Sequence, residues 1–311
     1  MMNKKSYAII SLVIILTFIA YIVYDSVKPE KNRETPEKTA AAEDPPDLWQ
    51  AGKQLDIDYG QLMSVAVSPD GDIFLGGKSF LSRYNNSLNL VWKTSTPDGI
   101  TAVAVYGDTV YAASASIIHL VGSDGKMITE WGPYESRSYI TSVSASAKNV
   151  GFADSENKRV FILDKTGEVI SMAGHSVDKF IIPSPYFDVA LTDEGLFYAA
   201  NTGYRRIETW TPGGIKKGQF GEAGTAPEAF CGCCNPAHFA VIPQGFVTAE
   251  KGINRIKILD HQGAFVEFVS SRNTFTPSVP LDIASADGKT IYAANPDDSK
   301  LYVFRRKNEN I

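Results

Sequence analysis

The sequence of 311 residues predicts an all-β fold, a six-bladed β-propeller, preceded by a single N-terminal transmembrane helix. Six similar β-rich segments follow one another after residue 48, and most of them contain four short strand-like runs separated by Asp-Gly or Gly turns. Four antiparallel strands per repeat make one blade of a propeller. Residues 48–311 provide about 44 residues for each of six units, which is the usual length of a blade.

The N-terminal apolar run is the first element of the chain. Lys4 and Lys5 precede an uncharged stretch from Tyr7 to Tyr24. As a helix, this stretch is just long enough to cross the hydrocarbon layer of a membrane. A cleaved signal peptide is the alternative, but the run is long for such a peptide and no small-residue cleavage pattern follows it. We therefore expect residues 1–24 to form an uncleaved anchor, with the propeller on the periplasmic or extracellular side.

Residues 25–47 differ in composition from what precedes and follows them. They are rich in Pro, Glu and Lys and contain no aromatic residue, which predicts a disordered linker. The whole chain has a net charge of −5 and no long basic block. This charge pattern argues against a nucleic-acid partner.

The repeated unit begins with an alternating strand, makes a turn and continues as a second strand that ends in small residues. The six copies are SVAVSPDGDIFLGG, AVAVYGDTVYAAS, SVSASAKNVGFADS, DVALTDEGLFYAAN, HFAVIPQGFVTAEK and DIASADGKTIYAAN. The last unit stops after its third strand, at Arg306. We expect Lys53–Gly60 to supply the missing fourth strand, because closing the ring in this way removes free sheet edges.

One stretch carries a resemblance to a known family. FADSENKRVFILDKTGE, from Phe152 to Glu168, resembles an NHL repeat: a small residue, an Asp, a turn with Asn, an Arg and a strand that ends in Asp-x-x-Gly. At the position of Asp154, three later units have Asn201, Glu250 and Asn295. The resemblance implies an NHL-like six-bladed propeller, a class whose members mostly bind ligands or partners, although some relatives are hydrolases.

The alignment of the repeats predicts which side chains face the central channel. The first strand of a blade lines this channel and its side chains alternate, so the same position in each unit faces inward. These positions hold Ser64, Ala102, Ser142, Asp188, His238 and Asp282. The second strands end at the same mouth, so we predict a ligand site formed by Asp188, Asp282, Asn201, Glu250 and Asn295. The alternative for Asp154, Asn201 and Asn295 is that they cap the tight turn that follows them.

The segment FCGCCNPAHF, from Phe230 to Phe239, holds all three cysteines and one of the four histidines. Thiolates with an imidazole suit a soft metal such as copper, zinc or an iron–sulfur centre. We therefore predict a metal site formed by Cys231, Cys233, Cys234 and His238. A redox-active pair or a vicinal Cys233–Cys234 disulfide is a second interpretation, since thiols outside the cytoplasm tend to oxidise. Inert packing is a third.

These observations favour a membrane-anchored extracytoplasmic propeller that binds an unknown protein or small molecule at the channel mouth, with no catalytic residue assigned. The alternative is a metal-dependent hydrolase that resembles gluconolactonases, in which carboxylate and amide oxygens hold a divalent cation. Asp188, Asp282, Asn201, Glu250 and Asn295 could imitate such ligands. Thiolates are poor ligands for calcium or magnesium, so the cysteine cluster favours the binding protein over the enzyme.

Overall fold

The computed structural model describes residues 4–27, 48–96, 98–175, 177–271 and 274–307. The chain divides into two compact units, Met1–Glu43 and Asp44–Ile311. The first unit contains the helix α1 (Lys4–Val27), and the second contains the β-strands.

Helix α1 is 24 residues long, and its apolar side chains from Ile9 to Ile22 are largely exposed. Among the described residues, no helix combines the length and apolarity that mark a membrane-spanning candidate. The transmembrane anchor over residues 1–24 therefore stays a prediction. Helix α1 ends at Val27 and therefore includes the first residues of the segment 25–47, which the sequence predicts to be a disordered linker. The rest of that segment lies outside the described residues.

The described strands form six four-stranded antiparallel sheets, the six blades of the propeller. The first strand of the chain, β1 (Trp49–Asp56), joins the last blade. Blade 1 contains β2 (Leu62–Val67), β3 (Ile73–Gly77), β4 (Phe80–Tyr84) and β5 (Leu90–Ser95). Blade 2 contains β6 (Ala102–Tyr106), β7 (Thr109–Ser114), β8 (Ile117–Gly122) and β9 (Met127–Trp131).

The remaining blades follow the same order. Blade 3 contains β10 (Ile140–Ala145), β11 (Val150–Asp154), β12 (Arg159–Leu163) and β13 (Val169–Ala173). Blade 4 contains β14 (Val189–Leu191), β15 (Phe197–Asn201), β16 (Arg206–Trp210) and β17 (Lys216–Phe220). Blade 5 contains β18 (His238–Ile242), β19 (Gly245–Ala249), β20 (Ile256–Leu259) and β21 (Phe265–Ser270). Blade 6 contains β22 (Asp282–Ala284), β23 (Thr290–Asn295) and β24 (Lys300–Arg306), completed by β1.

The ring closes through the pairing of β1 with β24, in which Trp49 lies opposite Arg306 and Asp56 opposite Lys300. The expectation that the start of the propeller completes blade 6 is confirmed. The strand begins at Trp49 rather than at Lys53, however. The reason is that the Trp49 side chain is buried and its indole N–H donates to Glu267 Oε1 at 3.0 Å, which fixes the first residues of the strand to blade 5.

The Asp-x-x-Gly segments make the turns between the third and fourth strands. In blade 3, Asp164 Oδ1 accepts hydrogen bonds from the backbone N–H groups of Thr166 at 2.8 Å and Glu168 at 3.1 Å. Gly167 has a φ of 93°, a conformation that costs glycine little because it has no Cβ. These short turns fix the register of the outer strand and leave the inner strand free to line the channel.

The apolar core lies between neighbouring blades. One cluster joins Val160 and Ile162 of blade 3 to Phe187, Val189 and Trp210 of blade 4 or its entry loop. Burial of such side chains is the main favourable contribution to folding. Since each blade packs on two neighbours, the inner strands are held in fixed positions around the channel.

Candidate functional site: the channel mouth and the cysteine loop

The central channel is lined by the first strands of the six blades and encloses a cavity of about 290 Å³. One position in each inner strand, or directly before it, contributes a side chain to a ring. The structure places all six side chains expected from the strand alternation around this cavity: Ser64, Ala102, Ser142, Asp188, His238 and Asp282. We call these six residues the channel ring.

The channel ring links neighbouring blades through hydrogen bonds. Asp282 Oδ2 accepts from the Ser64 hydroxyl at 2.7 Å and from the Val65 backbone N–H at 2.8 Å. On the other side of the ring, Asp188 accepts from the Phe239 backbone N–H at 2.8 Å and from the Ser142 hydroxyl. Because each carboxylate is held by the adjacent blade, both are oriented before any ligand arrives.

His238 stands between the two carboxylates. Its Nδ1 lies 3.4 Å from Asp282 Oδ1 and 3.8 Å from Asp188 Oδ2, and all three side chains are mostly buried. A carboxylate beside Nδ1 favours the tautomer that carries its proton there, which leaves Nε2 as an acceptor. Nε2 has no hydrogen bond to any other residue in the described part of the chain. It is therefore available to a ligand.

The environment of Asp188 makes its carboxyl harder to ionise. The pKa of Asp188 is raised to about 6, chiefly by burial; His238 opposes this shift and Asp282 adds to it. Above this pH Asp188 therefore carries a negative charge in the channel ring. Near and below it, Asp188 can hold a proton and the charge of the ring falls.

A smaller cavity of about 140 Å³ lies beside the channel ring, at the mouth. Its wall is mainly apolar and aromatic, and includes Tyr139, Pro185, Tyr186 and Pro280. His238 lines both this cavity and the channel. The Tyr186 ring meets the His238 ring edge to face, with 6.2 Å between centroids. The mouth thus combines an apolar wall with a few polar groups, as small-molecule sites do.

Three of the predicted ligand residues do not reach the channel. Asn201 is buried, accepts from the Ile181 backbone N–H at 2.9 Å and donates to Glu208 Oε1 at 3.0 Å. Asn295 Oδ1 accepts from the Asp297 backbone N–H at 3.1 Å, which is the turn-capping arrangement. Neither these residues nor Glu250 line the channel cavity. Of the five residues predicted to bind a ligand, the structure brings only Asp188 and Asp282 together.

Glu250 belongs instead to a buried ionic cluster. Its Oε1 lies 3.0 Å from Arg255 Nη2 and 3.0 Å from Lys257 Nζ, and all three side chains are inaccessible to solvent. Lys257 also donates to the Ala229 carbonyl at 2.6 Å. Burial lowers the pKa of Lys257 to about 8, and Glu250 opposes this shift.

The ionic cluster fixes the loop that precedes β18. Arg255 donates to the carbonyls of Thr225 at 3.0 Å and Ala229 at 2.9 Å, and Glu250 Oε2 accepts from the Cys231 backbone N–H at 2.8 Å. Further along the loop, Asn235 donates to the Lys251 carbonyl at 2.8 Å and accepts from the Lys251 N–H at 2.9 Å. The cysteine loop, residues 230–236, is therefore held at both of its ends.

The three cysteines have different environments. All are free thiols; Cys231 is half-buried, Cys233 is exposed and Cys234 is buried. The Sγ atoms of Cys233 and Cys234 are 3.0 Å apart. Among the described residues, no group of three or more His, Cys, Asp or Glu side chains is placed to hold a metal ion. The structure thus brings two of the thiols together. The metal site formed by all three cysteines and His238 stays a prediction.

The sequence analysis did not identify three residues that lie near the thiols: Ser184, Tyr186 and Lys251. Burial raises the pKa of the Cys234 thiol and Ser184 opposes this shift, while Lys251 Nζ lies 3.5 Å from Ser184 Oγ. The same Nζ lies 4.6 Å from the centroid of the Tyr186 ring. Ser184 and Tyr186 come from the loop before β14, which has no repeat pattern that could have located them. Lys251 directly follows Glu250, which occupies a position shared by the repeats, and this is the one feature of the sequence that could have indicated it.

The fold and the channel together define a six-bladed β-propeller with a polar ring at one mouth. No protein-family model matches the chain, and no curated protein matches it. Among solved structures, the chain is similar to a catalytically inactive histidine-to-alanine variant of virginiamycin B lyase from Staphylococcus aureus, solved with quinupristin. The identity is 16%, the match covers 81% of this chain and 82% of that chain, and the TM-score is 0.54. This likeness shows the fold alone, so membership of the NHL family stays a prediction.

Proposed function

We propose that the protein is a binding propeller that takes a small organic cation at the channel mouth. The observation that carries the proposal is the position of His238, whose Nδ1 faces two carboxylates while the ring borders both cavities. Asp188 and Asp282 favour a positively charged group. Nε2 of His238 can accept a hydrogen bond from a donor on the same ligand.

The apolar cavity at the mouth supports the same chemistry. Tyr139 lines this cavity, and aromatic rings attract cations such as substituted ammonium groups. The prolines in the wall would contact the apolar part of such a ligand. A ligand with an ammonium centre, a short apolar body and one hydroxyl donor therefore satisfies each part of the mouth.

Calorimetric titration with choline tests this proposal. We expect choline to bind the full chain and to bind the His238→Ala variant about tenfold more weakly, since one hydrogen bond to the ligand is lost. His261→Ala is the matched control, because His261 lies on the far side of blade 5 and bonds only to the Pro243 carbonyl among the described residues. The uncharged isostere of choline, in which a tert-butyl group replaces the trimethylammonium group, should bind more weakly. Equal binding of the isostere would contradict the role of the carboxylates.

A membrane-anchored, extracytoplasmic location completes the proposal. The apolar side chains of α1 between Ile9 and Ile22, which are largely exposed in the structure, support an anchor because such a surface would otherwise face water. The two lysines at the start of the helix and the acidic propeller are compatible with this arrangement.

Cell fractionation tests the anchor. The full chain should stay with the membrane fraction after a carbonate wash, whereas a variant that lacks residues 1–28 should appear in the soluble fraction. The blades are contained in the unit Asp44–Ile311, so the shortened variant keeps every β-strand. Release of the full chain by carbonate, or a mature protein that begins near residue 25, would argue against an anchor.

An enzyme is the second candidate function. His238 beside two carboxylates is an arrangement that can serve as a general base. The similar lyase structure is described as inactive with a histidine replaced by alanine, which suggests a comparable use of an imidazole. A gluconolactonase-like hydrolase finds less support, because Asn201, Glu250 and Asn295 are engaged away from the channel. Turnover of quinupristin or of a sugar lactone by the wild type, lost in His238→Ala, would favour the enzyme.

A further inference from the structure

We propose that Cys233 and Cys234 form a redox-active dithiol that reduces disulfide compounds at the channel mouth and becomes a vicinal disulfide in the process. The proposal does not depend on the ligand proposed for the channel ring. It assigns an activity to the cysteine loop, whereas the channel ring binds its ligand without covalent chemistry.

The positions of the two sulfur atoms are the first observation. Cys233 Sγ and Cys234 Sγ are 3.0 Å apart, closer than two thiols that do not interact. The Cys233 side chain is exposed to solvent, and the neighbouring Cys234 side chain is buried. A disulfide compound can therefore reach Cys233 directly, while Cys234 is sheltered from solution and already beside its neighbour.

The surroundings divide the two steps of thiol–disulfide exchange between the cysteines. The Cys233 thiol is exposed and the Cys234 thiol is buried, so a disulfide compound in solution meets Cys233 first. Cys234 Sγ lies 3.0 Å from Cys233 Sγ, in place to attack the mixed disulfide that forms. Cys233 therefore attacks first and Cys234 follows.

The reaction balances with a disulfide compound as the oxidant. Cys233 loses its proton to solvent, its thiolate attacks one sulfur of the compound, the sulfur–sulfur bond of the compound breaks, and the first thiolate leaves and takes up a proton. The resulting mixed disulfide is then attacked by Cys234, which loses its proton to solvent and forms the bond to Cys233. The second thiolate leaves and takes up a proton. Two protein thiols are oxidised to one disulfide, and the compound is reduced to two thiols.

The rest of the cysteine loop keeps the dithiol in place. The Glu250 carboxylate holds the Cys231 N–H, and Asn235 bonds to Lys251 through both of its side-chain atoms. Between them, Gly232 has a φ of 80°, which an L-residue adopts only with strain, so the chain can turn here. A loop fixed on both sides keeps the second thiol near the mixed disulfide, which favours its resolution over hydrolysis or escape.

Cys231 provides an internal control. Its backbone is fixed by Glu250, its thiol is half-buried, and it does not belong to the close pair. A Cys231→Ser variant should therefore keep the activity. This separates the dithiol from the predicted metal site, which needs all three thiols.

The test is thiol titration and intact-mass analysis of the full chain, reduced, freed of metal with a chelator and then exposed to oxidised glutathione. The wild type should fall from three free thiols to one and lose the mass of two hydrogen atoms, with no glutathione attached. Cys231→Ser should fall from two thiols to none. Cys234→Ser should accumulate a mixed disulfide between glutathione and Cys233, because no second thiol resolves it. Cys233→Ser should keep its thiols over the same time.

Three results would overturn the proposal. The first is a wild type that keeps all three free thiols after exposure to oxidised glutathione. The second is a Cys233→Ser variant that reacts through Cys234 as fast as the wild type. The third is found before the chelator is added: stoichiometric copper, zinc or iron in the reduced protein, with all three thiols protected from oxidation. This result would establish the predicted metal site instead. Circular dichroism of each variant separates loss of reactivity from loss of fold.

Discussion

Replacing Glu250 with alanine is expected to lower the free energy of unfolding by about 3–5 kcal/mol, because it leaves buried positive charges without their partner. Arg255 Nη2 and Lys257 Nζ each lie 3.0 Å from the same carboxylate oxygen, and the three side chains are inaccessible to solvent. The variant also removes the acceptor of the Cys231 N–H. Urea unfolding followed by tryptophan fluorescence measures the effect.

The controls for this experiment come from the same loop and the same site. Glu222→Ala removes an exposed carboxylate from the segment that precedes the cysteine loop and should change the stability by less than about 0.5 kcal/mol. Glu250→Gln keeps the shape and one acceptor, so its loss should be smaller than that of Glu250→Ala. In Glu250→Ala, the buried thiol of Cys234 should also react faster with iodoacetamide, because the loop is released. Equal stabilities of Glu250→Ala and Glu222→Ala would show that the cluster does not hold the loop.

Replacing Trp49 with alanine is expected to cost about 3–5 kcal/mol, the range for removing a large buried aromatic side chain. Trp49 is only 2% exposed, packs between blades 5 and 6 and donates to Glu267. The same substitution weakens the pairing of β1 with β24, which closes the ring. Thermal unfolding measures the loss.

Leu48→Ala is the matched control for Trp49→Ala, since Leu48 directly precedes the strand and its side chain is 48% exposed. We expect this control to unfold like the wild type. Deletion of residues 49–56 is the stronger variant. It leaves β24 with an unpaired edge, so the protein should associate through that edge in size-exclusion chromatography. A monomeric, fully stable deletion variant would contradict the role of β1 in closing the propeller.

Strand alternation and repeat length were sufficient to predict the channel ring. Ser64, Asp188 and Asp282 occupy the same position in three units, and a one-residue error in register would have turned them away from the channel. The closing strand was predicted because the last unit lacks its outer strand. The channel-facing position and the four-strand pattern recur in each repeat, so a single sequence shows each of them several times.

The second-strand ends could not be assigned in the same way. Asp154, Asn201, Glu250 and Asn295 share a position, but their side chains bond within their own blade or to its entry loop. Whether such a residue faces the channel depends on the loops that approach it, and loops follow no repeat. Arg255, directly before β20, and Lys257, within it, were a usable signal, because two buried cations require a buried acid.

The cysteine loop shows another limit of sequence analysis. The clustering of three thiols indicates chemistry, but it does not tell which of them meet. The pairing of Cys233 with Cys234 follows from a loop fixed by Glu250 and Asn235, and those contacts join the loop to the end of the next strand pair, which no pattern within the loop reveals. The apposition of Tyr186 to both His238 and Lys251 likewise depends on the entry loop of blade 4.

The most direct test of the central claim, that the channel mouth binds a small organic cation at His238, is an imidazole NMR spectrum during a choline titration. The four histidines are His119, His175, His238 and His261. The His238→Ala variant assigns the signal of His238. We expect the ring resonances of His238 to shift with saturation as choline binds, while the signals of the other three stay in place. Movement of another histidine instead, or an unchanged His238 signal at choline concentrations where calorimetry detects binding, would contradict the claim.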